Sequence, residues 1–207
     1  MYRKTWMQVN LDKIERNLIK LKDICQKKII AVLKADAYGC GDIHVARAVL
    51  EAGAEMIAVS SLDEALVLRN EGYSGKLLIL GATEASDIPV LIKQGISCTA
   101  YSDEWVDNVI QQNCADLHVH LKMDTGMSRI GFRTIDELHS AFNKLQAANC
   151  TMEGIFTHFC CVDSDIELTN LQFSKFKEAV ESFSYSFPWI HCDNSDATAF
   201  FKEDTSN

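Results

Sequence analysis

Ile29-Ile30-Ala31-Val32-Leu33-Lys34-Ala35-Asp36-Ala37-Tyr38-Gly39-Cys40-Gly41-Asp42 is the stretch whose reading decides the fold. Five apolar residues run without interruption and end on one lysine. Such a run reads as a strand buried on both faces, as in parallel sheets. Two glycines follow, and Asp42 opens a helical pattern that stops at Gly53, a C-terminal helix signal. The unit is strand, turn, helix. A lysine at the mouth of a buried strand has two readings. It can snorkel to water, or it can be desolvated, lose basicity and attack carbonyls. For Lys34 alone the first is favoured.

The same unit repeats outward from this stretch. Upstream, residues 5–9 are β-prone, and Asn10 caps a helix with Leu11, Ile14, Leu18, Leu21 and Ile24 on one face. Downstream, short apolar strands are predicted over 56–60, 76–80, 96–100, 117–122, 153–159 and 188–192. Helices fill the intervals. Ser61 with Glu64 and Thr134 with Glu137 have capping-box spacing, Ser86 and Ser102 open further helices, and a helix is predicted over 169–182. Strands alternating with helices predict an α/β fold with a parallel sheet. Seven strands from Ile29 onward fall one short of a closed barrel. The predicted architecture is an incomplete (β/α)8 TIM-type barrel of about seven βα units, one domain over 1–207.

The totals narrow the function. A formal charge of −9 argues against non-specific nucleic-acid binding. No apolar run approaches transmembrane length, and residues 1–6 lack a signal-peptide core. A cytoplasmic location with no membrane partner is the expectation. The eight cysteines include no Cys-x-x-Cys, and no histidine pair has zinc spacing, so free thiols and no metal are expected. Cys98, Cys160 and Cys192 read as small core residues.

In parallel α/β folds, function gathers at the C-terminal strand ends. Those ends carry Lys34 and Tyr38; the run from Lys122 through Asp124, Arg129 and Gly131; Thr157, His158 and Phe159; and His191 through Ser195. Singly, each has a plain reading. Lys122 and Asp124 could form a rim ion pair, Gly126 and Gly131 could serve turns, His158 could be a core histidine, and Asn194-Ser195 could cap a helix. Together they place lysine, tyrosine, arginine, histidine and a helix-opening serine on one face. A helix N-terminus suits phosphate. The set suits a phosphorylated aldehyde, of which pyridoxal phosphate is the obvious example.

Ala31-Val-Leu-Lys-Ala-Asp-Ala-Tyr-Gly39 resembles the pyridoxal-phosphate lysine motif of alanine racemases. His120-Leu-Lys-Met-Asp-Thr-Gly-Met-Ser-Arg-Ile-Gly-Phe132, Gly154-Ile-Phe-Thr-His158 and His191-x-x-Asn-Ser195 resemble that family's later motifs, in the same order. The resemblance implies a PLP-dependent isomerase interconverting L- and D-alanine, supplying D-alanine for peptidoglycan. It implies that Lys34 holds the cofactor as a Schiff base and is one of two bases at the substrate α-carbon. Tyr38, Asn194 and Ser195 would bind phosphate, His158 would pack on the pyridine ring, and Arg129 would bond the phenolic oxygen. His191 would be a supporting residue. Lys122 would be carbamylated, an anion positioning Arg129.

The resemblance also implies a homodimer and a C-terminal β-domain carrying the second base, a tyrosine, and the arginine that faces the pyridine nitrogen. The sequence offers neither, so it is expected to be the N-terminal part of such an enzyme and to racemise alanine weakly or not at all alone. Cys40 replaces a usual histidine, and Asp193 and Asp196 flank Asn194-Ser195, where acidic groups oppose a phosphate. Three alternatives stay open: a serine racemase of the same family, an amino-acid decarboxylase on this scaffold, and a non-enzymatic PLP carrier.

Overall fold

The structure is a computed structural model that describes residues 4–201 and 205–207. Seven strands follow in chain order: β1 Ile30–Val32, β2 Met56–Val59, β3 Leu77–Ile79, β4 Cys98–Ala100, β5 His118–Lys122, β6 Thr151–Phe156 and β7 Trp189–His191. Every pairing is parallel and joins sequence neighbours, β1 to β3 in one sheet and β4 to β7 in the other. The Leu78–Ser97 bridge stitches the two, with Ile79 N–H donating to Ser97 O at 2.9 Å and Ser97 N–H to Leu77 O at 2.8 Å. A single parallel progression of seven strands results, as the repeat predicted.

Alternate strand residues build two cores. Ala31, Ile57, Val59, Leu77, Ile79, Val119 and Leu121 face outward into the layer shared with the helices. Met56, Ala58 and Leu78 face inward and pack on Trp189, with Ile30, Val32 and Leu80 around them. Trp189 belongs to the seventh strand and its partners to the second and third, so the sheet curls around its own interior. The ammonium groups of Lys28 and Lys76 both lie 5.0 Å from the Trp189 ring centroid. Curling is what buries both faces, and it explains strands without polar–apolar alternation.

The helices are α1 Leu11–Cys25, α2 Asp42–Glu51, α3 Leu62–Asn70, α4 Ile88–Gln94, α5 Asp103–Val109, α6 Ile135–Ala147, α7 Ile166–Glu181 and α8 Ser195–Phe200. Their starts follow side-chain chemistry. The side chains of Asn10 and Ser102 accept from Lys13 and Trp105 N–H. Thr134 and Glu137 close a full reciprocal box. We expect Thr134→Ala to cost about 1 kcal/mol in urea unfolding, the usual worth of such a cap.

Four expectations shift. Residues 5–9 form no strand, and Trp6 and Met7 are exposed, because no neighbouring strand offers them a ladder. Ser86 lies inside a 3-10 turn, and the α-helix begins at Ile88 with Pro89 in its first turn. The helix predicted to begin at 169 begins at Ile166, because Asp165 caps it by accepting from Leu168 N–H at 2.9 Å. The strand predicted over 153–159 is Thr151–Phe156.

Candidate active site

Strand β1 ends in an unusual turn. Ala35, Asp36, Ala37 and Tyr38 all have φ between 51° and 57°, one turn of left-handed helix, closed by Ala37 N–H donating to Leu33 O at 2.9 Å. For L-residues each such position costs roughly 1–2 kcal/mol. Strain of this kind persists only where surrounding contacts impose it, and it gathers at functional sites. The turn swings Tyr38 back so that Lys34 Nζ lies 5.8 Å from its ring centroid. Lys34 is half-buried rather than deeply desolvated, and Tyr38 is exposed.

Glu64 holds this turn in place. Its carboxylate accepts from Ala35 N–H at 2.8 Å and Ser60 N–H at 2.7 Å. Ser61 caps α3 as predicted, but Glu64 does not complete the box; its oxygens go to the left-handed turn and the end of β2. Burial raises the Glu64 carboxyl, yet these hydrogen bonds outweigh it and leave the group below its ordinary value. We expect Glu64→Ala to destabilise the fold by about 1–3 kcal/mol, with an orphaned Ala35 amide, by urea unfolding. Its stabilising effect should be present above the ordinary carboxylate range and fade as pH falls through the lowered folded value.

The end of β5 builds the opposite wall. Asp124 Oδ1 accepts from Gly126 N–H at 3.2 Å and Ser128 N–H at 2.9 Å, folding the loop to Gly131. Phe132 N–H returns to Lys122 O at 2.8 Å. Gly131 has φ 124°, and a Cβ there would stand 2.8 Å from Asp124 N and Lys122 O, so only glycine closes the loop. Lys122 and Asp124 do not form the rim ion pair that was one reading. Lys122 is 2% exposed, its ammonium makes no hydrogen bond or ion pair among the described residues, and Nζ lies 4.9 Å from the Phe156 ring centroid. Burial, then Arg129, lowers its ammonium to about 8.

His158 follows β6 and lies within the fields of Lys122, Arg129 and Lys34. Burial, then those three cations, holds its imidazole down at about 4. It is a neutral ring on a cationic mouth, within a protein of net charge −9. Thr125 Oγ1 and Thr157 Oγ1 join the β5 and β6 loops at 2.8 Å, and buried Gln172 donates to Thr125 Oγ1 at 3.2 Å and His158 O at 3.3 Å.

After β7, Asn194 caps α8. Its Oδ1 accepts from Ala197 N–H at 2.9 Å, and its Nδ2 donates to Phe159 O at 3.4 Å. Ser195 is exposed as the first residue of that helix, with Asp196 exposed beside it. Asp193 is half-buried and accepts from the Cys192 thiol at 3.4 Å.

Beneath the mouth runs a polar chain of which the sequence singled out only His191 as a site residue, missing its link to His120 and Glu153. His191 stacks on Phe156 with ring centroids 4.6 Å apart. Its Nε2 meets His120 Nδ1 at 3.0 Å, and His120 Nε2 meets Glu153 Oε2 at 3.3 Å. Ser97 also donates to that Glu153 oxygen. Burial raises the Glu153 carboxyl, but hydrogen bonds from His120 and Ser97 prevail and hold it at about 2. Burial keeps both histidines neutral. A carboxylate only accepts, so His120 carries its proton on Nε2 and His191 donates from Nε2. His191 Nδ1 is then left as an acceptor.

The alternation of His118, His120 and Lys122 on one strand could have revealed this inward face. Glu153 could not be read. It points inward because a bulge between Val119 and His120 shifts the register, pairing Met152 with Val119 and Gly154 with His120. Gly154 must be glycine there, since a Cβ would come within 2.3 Å of His120 Nδ1. We expect Glu153→Gln to cost about 1–3 kcal/mol. It should also flatten the loss of stability that the native chain shows as pH falls from about 4.5 toward about 2. Acid unfolding by circular dichroism checks both.

Among the described residues no cluster of metal-ligating side chains occurs, and no helix is long and apolar enough to cross a membrane. None of the eight cysteines is joined in a disulfide. Cys98 and Cys192 are buried as expected, whereas Cys160 is exposed, because it lies beyond the end of β6.

Comparison with known proteins agrees with this arrangement. The family described as alanine racemase, N-terminal domain, matches residues 9–207. Alanine racemase 1 of Oceanobacillus iheyensis is 39% identical over 98% of this chain and 56% of its own length. The crystal structure of a Bacillus anthracis alanine racemase with bound L-Ala-P superposes with a TM-score of 0.92 at 35% identity, covering 100% of this chain and 56% of that one. A histidine racemase from Leuconostoc mesenteroides superposes at 0.87 with 26% identity, over 92% of this chain and 53% of that one. The chain thus spans a little over half the length of the relatives it matches. A match over nearly every residue, on a curled parallel sheet with Lys34 at its mouth, means that this chain belongs to the alanine racemase family.

Proposed function

We propose that this chain is the cofactor-holding part of a pyridoxal-phosphate-dependent racemase acting on alanine. The observation that carries the reading is Lys34, half-buried at the end of β1 with an ammonium that makes no hydrogen bond among the described residues. The donor set fits a phosphorylated aldehyde. Lys34, Lys122 and Arg129 make the mouth cationic, the neutral His158 imidazole can lie against an aromatic ring, and the Tyr38 hydroxyl is exposed beside Lys34. When bound, the cofactor supplies the electron sink that stabilises negative charge at the substrate α-carbon.

The chain's own residues would do the rest. Lys34 Nζ holds the cofactor aldehyde and, when substrate takes its place, carries a proton to or from one face of the α-carbon. Tyr38, Asn194 and Ser195 serve the phosphate, with Asn194 acting mainly by fixing the first turn of α8. His158 packs on the pyridine ring and stays uncharged there. Arg129 donates to the phenolic oxygen. Lys122, once carbamylated, offers Arg129 a planar anion that suits its fork. His191 Nδ1 offers an acceptor, fixed by the chain from Glu153, to a donor brought by the rest of the enzyme. The base for the second face and the dimer contact belong, on this reading, to the part of the enzyme that the relatives have beyond this chain.

Alanine as the substrate is favoured by the names of relatives such as the Oceanobacillus iheyensis alanine racemase 1, while one similar structure is named a histidine racemase. The experiment is covalent trapping. Pyridoxal phosphate added to the folded chain should give an absorbance band near the visible edge. Borohydride reduction and peptide mapping should then put the cofactor on Lys34. A label on Lys122, or no label on a folded chain, refutes the reading.

A further inference from the structure

Cys160 and Cys161 stand between β6 and α7, immediately after His158 and Phe159. Their sulfurs are 3.2 Å apart. Cys160 is exposed and Cys161 half-buried, whereas Cys98, Cys114, Cys150 and Cys192 are buried. The pair is held rather than loose. Cys160 N–H donates to Gln172 Oε1 at 3.1 Å, and its thiol donates to the same oxygen at 3.3 Å. Cys161 O accepts from Ser164 N–H at 3.1 Å and Asp165 N–H at 2.9 Å. Both backbones are fixed, so the sulfurs face one another before any ligand arrives.

We propose that Cys160 and Cys161 form a two-sulfur site for a trivalent, thiophilic centre of the arsenous-acid or organoarsenical class. The step is a condensation. Each thiol replaces one hydroxyl on arsenic, forming an As–S bond while the thiol proton and the hydroxyl leave together as water. Two waters leave per arsenous acid, and no electron is transferred. With phenylarsine oxide both thiol protons leave with its single oxygen, as one water.

Geometry and protonation both favour this over a disulfide. A disulfide spans Cα atoms about 4.4–6.8 Å apart, whereas consecutive residues joined by a trans peptide stand about 3.8 Å apart, so this pair closes one only with strain, while its sulfurs stand 3.2 Å apart. One larger atom can span the gap without moving either backbone. The hydrogen bond shared with Cys160 pushes the Cys161 thiol up to about 11, and Asp165 and Asp163 add to it. Thiolate is the species that oxidants and disulfides require, and the raised Cys161 thiol supplies little of it at neutral pH. The condensation carries the thiol proton away in water, so a raised thiol does not oppose its product. The site stands independently of the cofactor on Lys34. It does adjoin the same mouth: Gln172, which orders Cys160, also bonds Thr125 and His158 O, so a bridged pair pulls on both loops there.

The test uses phenylarsine oxide at one equivalent with the folded chain, read by native mass spectrometry and peptide mapping. One phenylarsenic group should bridge Cys160 and Cys161, be removed by a small dithiol, and resist a monothiol. In Cys160→Ser and in Cys161→Ser, affinity should fall at least about 100-fold, because the second bond forms at an intramolecular effective concentration. An adduct mapped to other thiols, or undiminished affinity in either variant, overturns the proposal. Both positions lie in an exposed loop, and circular dichroism matching the native chain confirms that each variant is folded.

Discussion

Lys34→Ala should abolish covalent capture of pyridoxal phosphate: no visible-edge band, and no reduced adduct in the 34–39 peptide. Alanine removes the one amine that the left-handed turn presents at the barrel mouth. Lys122 does not replace it. That amine lies against Phe156 with 2% of the residue exposed, too enclosed for an aldehyde carrying a ring and a phosphate. Lys34→Arg keeps the charge and the contact with the Tyr38 ring, but a guanidinium holds its proton and is no nucleophile toward carbonyls. The two variants should therefore fail alike in trapping, while Arg retains more of the non-covalent phosphate affinity. Where the chain works within a complete enzyme, loss of this base should slow α-proton exchange of alanine by about 10²–10⁴-fold. Equal trapping by Lys34→Ala and the native chain would exclude Lys34 from the role.

The left-handed turn shows where sequence reading stops. The apolar run and its terminal lysine were legible, because burial on both faces leaves few polar residues and a charge marks the exit. The four successive left-handed residues were not. Two are alanines and one is tyrosine, residues with no preference for that conformation. The turn exists because tertiary contacts impose it, and the Glu64 carboxylate on Ala35 N–H is one of them. The same spacing that marked Glu64 as a capping-box residue concealed that its oxygens serve the site instead.

The interior chain divides in the same way. His118, His120 and Lys122 lie on one face by simple alternation, so a polar barrel interior was there to be read. Glu153 joins it through a bulge that no residue type announces. Glycines were legible as turns at Gly126 and Gly131, but Gly154 answers to the ring across the sheet rather than to backbone conformation. Periodicity and caps report local physics. The contents of the site depend on register and curl, which are settled only when seven strands are in place.

Lys122→Met should stabilise the unmodified chain near neutral pH. Methionine keeps a long flexible stem and removes a charge that has no partner among the described residues. The ammonium is lowered from 10.5 to about 8, a difference worth about 3 kcal/mol at 1.36 kcal/mol per unit. The sign follows from proton binding. Between about pH 8 and 10.5 the unfolded lysine holds its proton and the folded one has lost it, so native stability rises with pH across that window. Below about 8 both states are protonated and the whole penalty is present; above 10.5 neither is and it vanishes. The stability difference between Lys122→Met and the native chain should therefore be largest at pH 7 and shrink toward zero by about pH 10.5, in urea unfolding at several pH values. Carbon dioxide provides the second arm. A lowered lysine exposes its neutral amine at mild pH, and addition of CO2 turns an unpaired cation into an anion beside Arg129. Bicarbonate should thus raise the stability of the native chain and leave Lys122→Met unchanged. A difference that stays constant with pH, or equal gains in bicarbonate, would show that Lys122 is neither strained by its burial nor the group that CO2 modifies.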